Sequence, residues 1–198
     1  MTDLYRNSDA YVNDLYVSDE YFGDYSIDHP EVIFKEYSIV DNKIIAYLGV
    51  RRIAREIDII QKETKNMSDK DKIIYVYDYV SRKHYDYVFT GSMDNQSIYS
   101  FYSTSSTVCA GFAKTSQVIF QNIGINSYLV HGSNHMWNYV EYEGKFYVFD
   151  ATVGACQRKG SPAFYEGLGR TTIGETTGLH EELYPPIEET ALQDVFGI

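Results

Sequence analysis

Cysteine is scarce in this sequence, with two residues among 198, Cys109 and Cys156. Two thiols are too few for a scaffold held together by disulfides. They also stand at no spacing that is typical of a metal site. The sequence therefore predicts neither a structural metal nor another cofactor.

Long hydrophobic runs are missing as well. No run approaches the roughly 20 apolar residues that a membrane-spanning helix needs. The N-terminus has no apolar core of the kind found in signal peptides. We therefore expect no membrane-spanning segment, while a secreted or cell-surface location with the signal already removed stays open.

Basic residues are few, because 17 Lys and Arg stand against 28 Asp and Glu, giving a formal net charge of −11. Contacts to phosphate need Lys and Arg, so this balance disfavours binding to nucleic acid. Tryptophan is limited to one residue, whereas tyrosine occurs 20 times. The length and the 44% of hydrophobic residues are enough for one domain with a real core.

The first half of the chain predicts helices after an extended segment. Residues 32–48 are rich in β-branched and aromatic residues and predict a β-hairpin or two extended segments. Residues 51–65 then place isoleucines on one helical face. Ser68 begins a second predicted helix that runs to about residue 84, and the polar residues 85–106 predict a long loop.

Cys109 follows that loop and lies in the first turn of a predicted helix that ends at Gly124. Ser105, Ser106 and Thr107 are the candidate N-caps of this helix. The N-terminal end of a helix stabilises negative charge, so this position favours the reactive thiolate form of the cysteine. By residue type alone, Cys109 is better explained as a buried and inert thiol, so the reactive role depends on its partners.

Three predicted strands follow, at residues 126–131, 135–142 and 145–152. If the turn between the last two strands consists of Glu143 and Gly144, the side chains of four residues share one face of the hairpin. These residues are His135, Trp137, Asp150 and Thr152. His135 and Asp150 are then diagonal neighbours whose side chains can touch, whereas a three-residue turn would place them on opposite faces.

These residues predict a Cys-His-Asp triad, with Trp137 shielding the His–Asp contact from water. The alternatives for single residues are a loop histidine at position 135, a turn residue at position 150 and ordinary core packing for the tryptophan. A shared face favours the triad over these separate roles, and a carboxylate at the end of an apolar strand needs a partner.

Three blocks of sequence resemble the transglutaminase-like superfamily, whose fold is papain-like. They are Val108-Cys109-Ala110-Gly111-Phe112-Ala113, His135-Met136-Trp137-Asn138-Tyr139-Val140 and Phe146-Tyr147-Val148-Phe149-Asp150-Ala151-Thr152. Weaker similarity upstream resembles the bacterial branch, although Ser105 stands where that branch often has glycine. The resemblance implies an α+β fold in which N-terminal helices and a central cysteine-bearing helix pack on an antiparallel sheet.

The resemblance also implies a function. Cys109 would be the nucleophile, His135 the general base and Asp150 the residue that orients it, with Tyr99 and Gln96 assisting at the oxyanion site. The substrate would be a peptide or protein amide. Hydrolysis is the favoured outcome, and transglutaminase-type acyl transfer and an inactive relative that binds peptide or polysaccharide are the alternatives. The oligomeric state is not predicted.

The resemblance divides the chain into parts of one domain. We expect an N-terminal extension over residues 1–66, a catalytic core over 67–155 and a C-terminal segment over 156–198 that wraps the sheet. Cys156 is then a structural or exposed thiol, and a disulfide with Cys109 is the alternative.

Overall fold

The computed structural model describes residues 43–87, 95–96, 98–170, 178–179 and 181–198. The side chains of residues 43–51, 99, 103 and 182 are outside this description. Helices and small sheets are mixed along the chain, so the fold is of the α+β class. No helix in the described ranges is long and apolar enough to cross a membrane.

The first helix, α1, runs from Lys43 to Thr64. The predicted extended structure over residues 32–48 is therefore wrong from residue 43 onward, and its earlier part lies outside the described residues. Extending an existing helix adds one hydrogen bond for each residue that becomes fixed, which outweighs the small helix penalty of β-branched residues. The apolar face predicted for this helix lies in the core, where Ile53, Ile57 and Ile60 are buried.

The second helix, α2, spans Asp69–Val80 and begins as predicted. The Ser68 hydroxyl accepts a hydrogen bond from the backbone N–H of Asp71 at 3.2 Å and thereby caps the helix. The helix ends at Val80, with Ser81 as its C-cap. The predicted end near residue 84 is wrong, because His84 belongs to a short strand instead.

The prediction of one long loop over residues 85–106 is wrong, because the described parts of this segment include strands and a helix. Strand β1 (His84–Tyr85) pairs in parallel with β2 (Ser106–Thr107). Helix α3 (Ile98–Ser103) lies between these strands in the chain. Pairing between strands this short depends on tertiary contacts and leaves no periodic signal in the sequence.

Helix α4, from Cys109 to Ile123, is the central element of the fold. Every residue from 110 to 120 is buried, and the helix contacts α1, α2, α3, β3 and β4. Gly124 closes it with a φ of 78°, as predicted. The N-cap is Val108, which makes no side-chain cap, so the prediction of a Ser or Thr N-cap is wrong.

The main sheet is antiparallel and consists of β3 (Ser127–His131), β4 (Met136–Tyr142) and β5 (Lys145–Phe149). Glu143 and Gly144 form the turn between the last two strands, and both have positive φ values, of 51° and 77°. Such a turn has two loop residues of the type I′ kind. The predicted register is confirmed, because residue 142 pairs with residue 145 and residue 140 with residue 147.

One part of the hairpin prediction is wrong. β5 ends at Phe149, and a short helix, α5 (Ala151–Ala155), replaces the last predicted strand residues. Thr152 therefore lies in a helix and not opposite His135. The cause is Asp150, whose Oδ1 accepts a hydrogen bond from the Thr152 backbone N–H at 3.0 Å and so caps α5.

The C-terminal residues contact the sheet at several places and also reach the main core, which contains Leu192 and Phe196. Ile187 forms a parallel bridge with Phe146, and Tyr184 packs in an apolar cluster with Val130, Trp137 and Tyr139. The final helix, α6, spans Leu192–Phe196. This placement is compatible with the expected C-terminal wrap, while the division of the chain into subdomains stays a prediction.

Candidate active site

Cys109 is the first residue of α4 and lies at the wall of a cavity of about 440 Å³. The first N–H groups of a helix have no acceptor inside the helix. Val108 offers no side chain that would cap them, so these donors are not consumed by a Ser or Thr hydroxyl. The sulfur of Cys109, which is partly exposed, therefore lies beside backbone donors that favour negative charge.

His135 immediately precedes β4, and 7% of its surface is exposed. Its Nε2 is 2.7 Å from Oδ2 of Asp150, a buried contact between the two side chains. Burial lowers the pKa of His135, but hydrogen bonds to Asp150 and Cys109, together with the negative charges on both groups, outweigh this and raise the pKa to about 10. The imidazole is thus hydrogen-bonded to the carboxylate and lines the same cavity as Cys109.

Asp150 follows β5 directly and is only 1% exposed. One carboxylate oxygen contacts His135, and the other accepts from the Thr152 N–H. The backbone N–H of Asp150 donates to the Gly167 carbonyl at 2.7 Å. The carboxylate is therefore fixed in direction by the cap of α5 and in position by the Gly167 contact.

Gly167 and Tyr77 pack closely against each other and against Asp150. A Cβ on Gly167 would overlap the Asp150 carbonyl oxygen and the Tyr77 hydroxyl, so this close approach requires glycine. Tyr77 donates a hydrogen bond to the Phe164 carbonyl at 2.7 Å. Burial first, and then the negative charge of Asp150, raises the pKa of Tyr77, which keeps the phenol neutral.

Trp137 stacks on His135, with ring centroids 5.7 Å apart and an interplanar angle of 18°. Its side chain is buried, and within the described part of the chain its indole N–H meets no acceptor. The ring covers one side of the imidazole and excludes water there.

The cavity beside Cys109 is lined by residues from four parts of the chain. They are Tyr85, Gln96, Val108, Cys109, Ala110, His131, Gly132, Ser133, Asn134, His135 and Met136. The structure therefore brings Gln96, a predicted oxyanion residue, to the cavity. The other predicted oxyanion residue is Tyr99, and its side chain lies outside the described residues. Among the described residues, no group of His, Cys, Asp or Glu is arranged to hold a metal ion.

Tyr85 and His131 also line this cavity, and sequence analysis did not identify either of them. Tyr85 arrives through the β1–β2 pairing, which has no sequence signature. His131 ends β3, four residues before His135, so the strand–turn–strand pattern was a usable signal for its proximity. Residues near a predicted site along the chain are thus easier to find than residues that a parallel pairing brings there.

Cys156 is a free, exposed thiol, and Cys109 is free as well. The alternative of a disulfide between them is therefore not what the structure contains. Partial burial of the sulfur raises the pKa of Cys156, against the opposing effect of a hydrogen bond with Tyr87. Cys156 is consequently a poor nucleophile at neutral pH.

Compared with protein families and with curated proteins, the sequence matches none. Among solved structures, it is similar to one described as the crystal structure of a TGase, with a TM-score of 0.51 and 23% identity. The similarity covers 77% of this chain and 43% of that chain, so this chain spans less than half the length of that protein. At this identity the likeness concerns the fold alone. The chain thus has an α+β architecture similar to that of a TGase, in agreement with the fold expected from the sequence.

Proposed function

We propose that this protein is a thiol-dependent hydrolase that cleaves peptide or protein amide bonds. The observation that supports this proposal best is the position of His135. Its Nε2 contacts the Asp150 carboxylate at 2.7 Å, while His135 and Cys109 line the same cavity. A nucleophile, a base and a group that orients the base form the recurring arrangement of covalent acyl-transfer enzymes.

The chemistry begins with the Cys109 thiolate and the His135 imidazolium. The sulfur attacks the amide carbon, and the carbonyl oxygen becomes an oxyanion. The C–N bond then breaks, and His135 gives its proton to the leaving amine, which leaves a thioester on Cys109. Water attacks the thioester while His135 takes one of its protons; the C–S bond then breaks, which releases the carboxylic acid and restores the Cys109 thiolate and the His135 imidazolium. Asp150 stabilises the imidazolium at each stage.

The oxyanion needs hydrogen-bond donors on the side of the cavity next to the sulfur. The first-turn N–H groups of α4 are suitable because no side chain caps them. Gln96 lines the same cavity, and its side-chain amide is a second candidate donor. We assign Gln96 to this role, whereas an assisting role for Tyr99 stays a prediction from the sequence.

Transfer of the acyl group to an amine is the second candidate function. Its support is the similarity of the fold to a TGase structure. The two functions share the thioester and differ only in whether water or an amine resolves it.

Reaction with peptides tests the proposal and separates the two candidates. Wild type and Cys109→Ala are incubated with a peptide mixture, with and without an added primary amine, and the products are followed by mass spectrometry. We expect cleavage by wild type only, with no dependence on the amine. Products that carry the amine would establish the transglutaminase alternative. A folded wild type that forms no acyl-enzyme and cleaves nothing would contradict both and favour a binding protein.

A further inference from the structure

Lys114 is a charged residue in the interior of α4, five positions after Cys109, and its exposed surface is 0%. Its Nζ donates a hydrogen bond to the backbone carbonyl of Gln96 at 3.0 Å. Burial of an ammonium group costs free energy unless hydrogen bonds compensate for it. The residue therefore links the central helix to the short segment that carries Gln96.

The preceding residue of that segment is held in the same way. The Asn95 carbonyl accepts hydrogen bonds from the Val108 N–H at 3.1 Å and from the Thr107 hydroxyl at 2.7 Å. Two successive carbonyls are thus fixed, one by the two residues directly before Cys109 and the other by Lys114, five positions after it. The backbone carbonyls of the segment are turned toward the helix, and Gln96 lines the cavity.

We propose that Lys114 is a positioning residue that holds Gln96 at the oxyanion site. The inference rests on the proposed acyl-transfer function, since Gln96 matters only if an oxyanion forms. A purely structural lysine is the competing explanation. The two explanations predict different effects of removing the ammonium. If Lys114 positions Gln96, its loss slows only those reactions of Cys109 that form an oxyanion. If Lys114 is purely structural, its loss also affects reactions that form none.

Two reagents make this distinction. Iodoacetamide alkylates the thiolate by displacing iodide and forms no oxyanion, whereas a p-nitrophenyl ester acylates it through a tetrahedral oxyanion. Loss of Gln96 positioning slows only the second reaction. A general disturbance of the helix, which also carries Cys109, changes both rates.

The experiment compares four proteins with wild type: Lys114→Met, Gln96→Ala, the double variant, and Thr115→Val as a control. Thr115 is the next residue of α4, is buried, and its hydroxyl has no partner among the described residues. We expect Gln96→Ala to slow acylation about 10²-fold, as for loss of one oxyanion donor. Lys114→Met should slow it about 10- to 100-fold through misplacement, with alkylation unchanged, and the control should match wild type in both reactions.

The double variant decides whether Lys114 acts through Gln96. Its acylation rate should equal that of Gln96→Ala within about 2-fold. Once Gln96 has been removed, the loss of the residue that positions it has no further effect. Multiplied effects, or an equal loss of alkylation in Lys114→Met, would overturn the inference. If Lys114→Met fails to fold, Thr107→Val, which removes the hydroxyl that holds Asn95, must show the same selective loss, and equal rates in both reactions would overturn it.

The proposed function is tested separately in the same series. Acylation of wild type no faster than that of Cys109→Ala would remove the proposed function, and the inference with it. Acylation that depends on Cys109 but not on Lys114 or Thr107 would remove the inference alone.

Discussion

Replacing Asp150 with Asn removes one negative charge at nearly constant size, and the structure determines how the new amide is oriented. The Thr152 N–H at 3.0 Å requires an acceptor, so the Asn carbonyl oxygen should face it. The Asn NH₂ group then faces Nε2 of His135, where the carboxylate oxygen lay at 2.7 Å. The reverse orientation leaves a buried N–H unsatisfied, which costs about 1–3 kcal/mol, a bias of roughly 5- to 150-fold.

This orientation leaves His135 neutral, because Nε2 must now accept a hydrogen bond. The ring proton then lies on the other ring nitrogen, Nδ1, and the positive charge beside the sulfur is lost. A neutral imidazole stabilises a thiolate less than an imidazolium does. We therefore expect slower alkylation of Cys109 in the variant at pH 6.

The assay is iodoacetamide labelling of Cys109 between pH 5 and pH 10, in a Cys156→Ser background so that one thiol is measured. Asp150→Asn should be alkylated more slowly than its parent at pH 6, and the difference should shrink as the pH rises toward 10. Ester acylation should fall much further, by about 10⁴-fold, because the histidine tautomer is wrong for catalysis. Identical alkylation profiles of the two proteins would refute the assignment of Asp150 as the partner of His135.

Three further predictions concern stability. The pKa of His135 is raised from 6.5 to about 10, so its contribution to the free energy of unfolding is complete below pH 6.5 and is lost as the pH rises to 10. Urea unfolding should therefore show a free energy that falls with pH over this range in wild type and not in His135→Gln. Gly167→Ala should lower the free energy of unfolding by about 1–3 kcal/mol and slow alkylation at pH 6, because the new Cβ displaces Asp150 or Tyr77; unchanged values would contradict the close packing. Gly144→Ala should cost about 1–2 kcal/mol through its positive φ without changing alkylation, and a neutral result in thermal unfolding would argue against the type I′ turn.

Local patterns made the centre of the site predictable. The Glu143–Gly144 turn sets the hairpin register, and strand alternation then places His135 and Asp150 on one face. Cys109 at a helix start followed from the apolar period of α4 and the closing glycine at position 124. Each of these inferences uses interactions between residues close together in the chain, which single-sequence patterns record well.

Contacts between distant segments were not predictable in this way. The β1–β2 pairing brings Tyr85 to the cavity, and a lysine inside a helix gives no sign that it will reach the Gln96 carbonyl. The prediction of the N-cap of α4 failed for a related reason. The predicted N-cap residue Thr107 is used by strand pairing and by its contact with Asn95, so tertiary interactions override the local capping preference.

The early end of β5 connects folding to function at Asp150. A carboxylate has two oxygens, and here one caps α5 while the other holds His135. The cap requires the chain to leave the strand at residue 150, so the strand ends three residues before the predicted end at residue 152. The same cap stops the carboxylate from rotating away from the imidazole. The departure from the predicted strand is therefore what gives Asp150 a fixed direction, and a longer regular strand would have left that side chain free to turn.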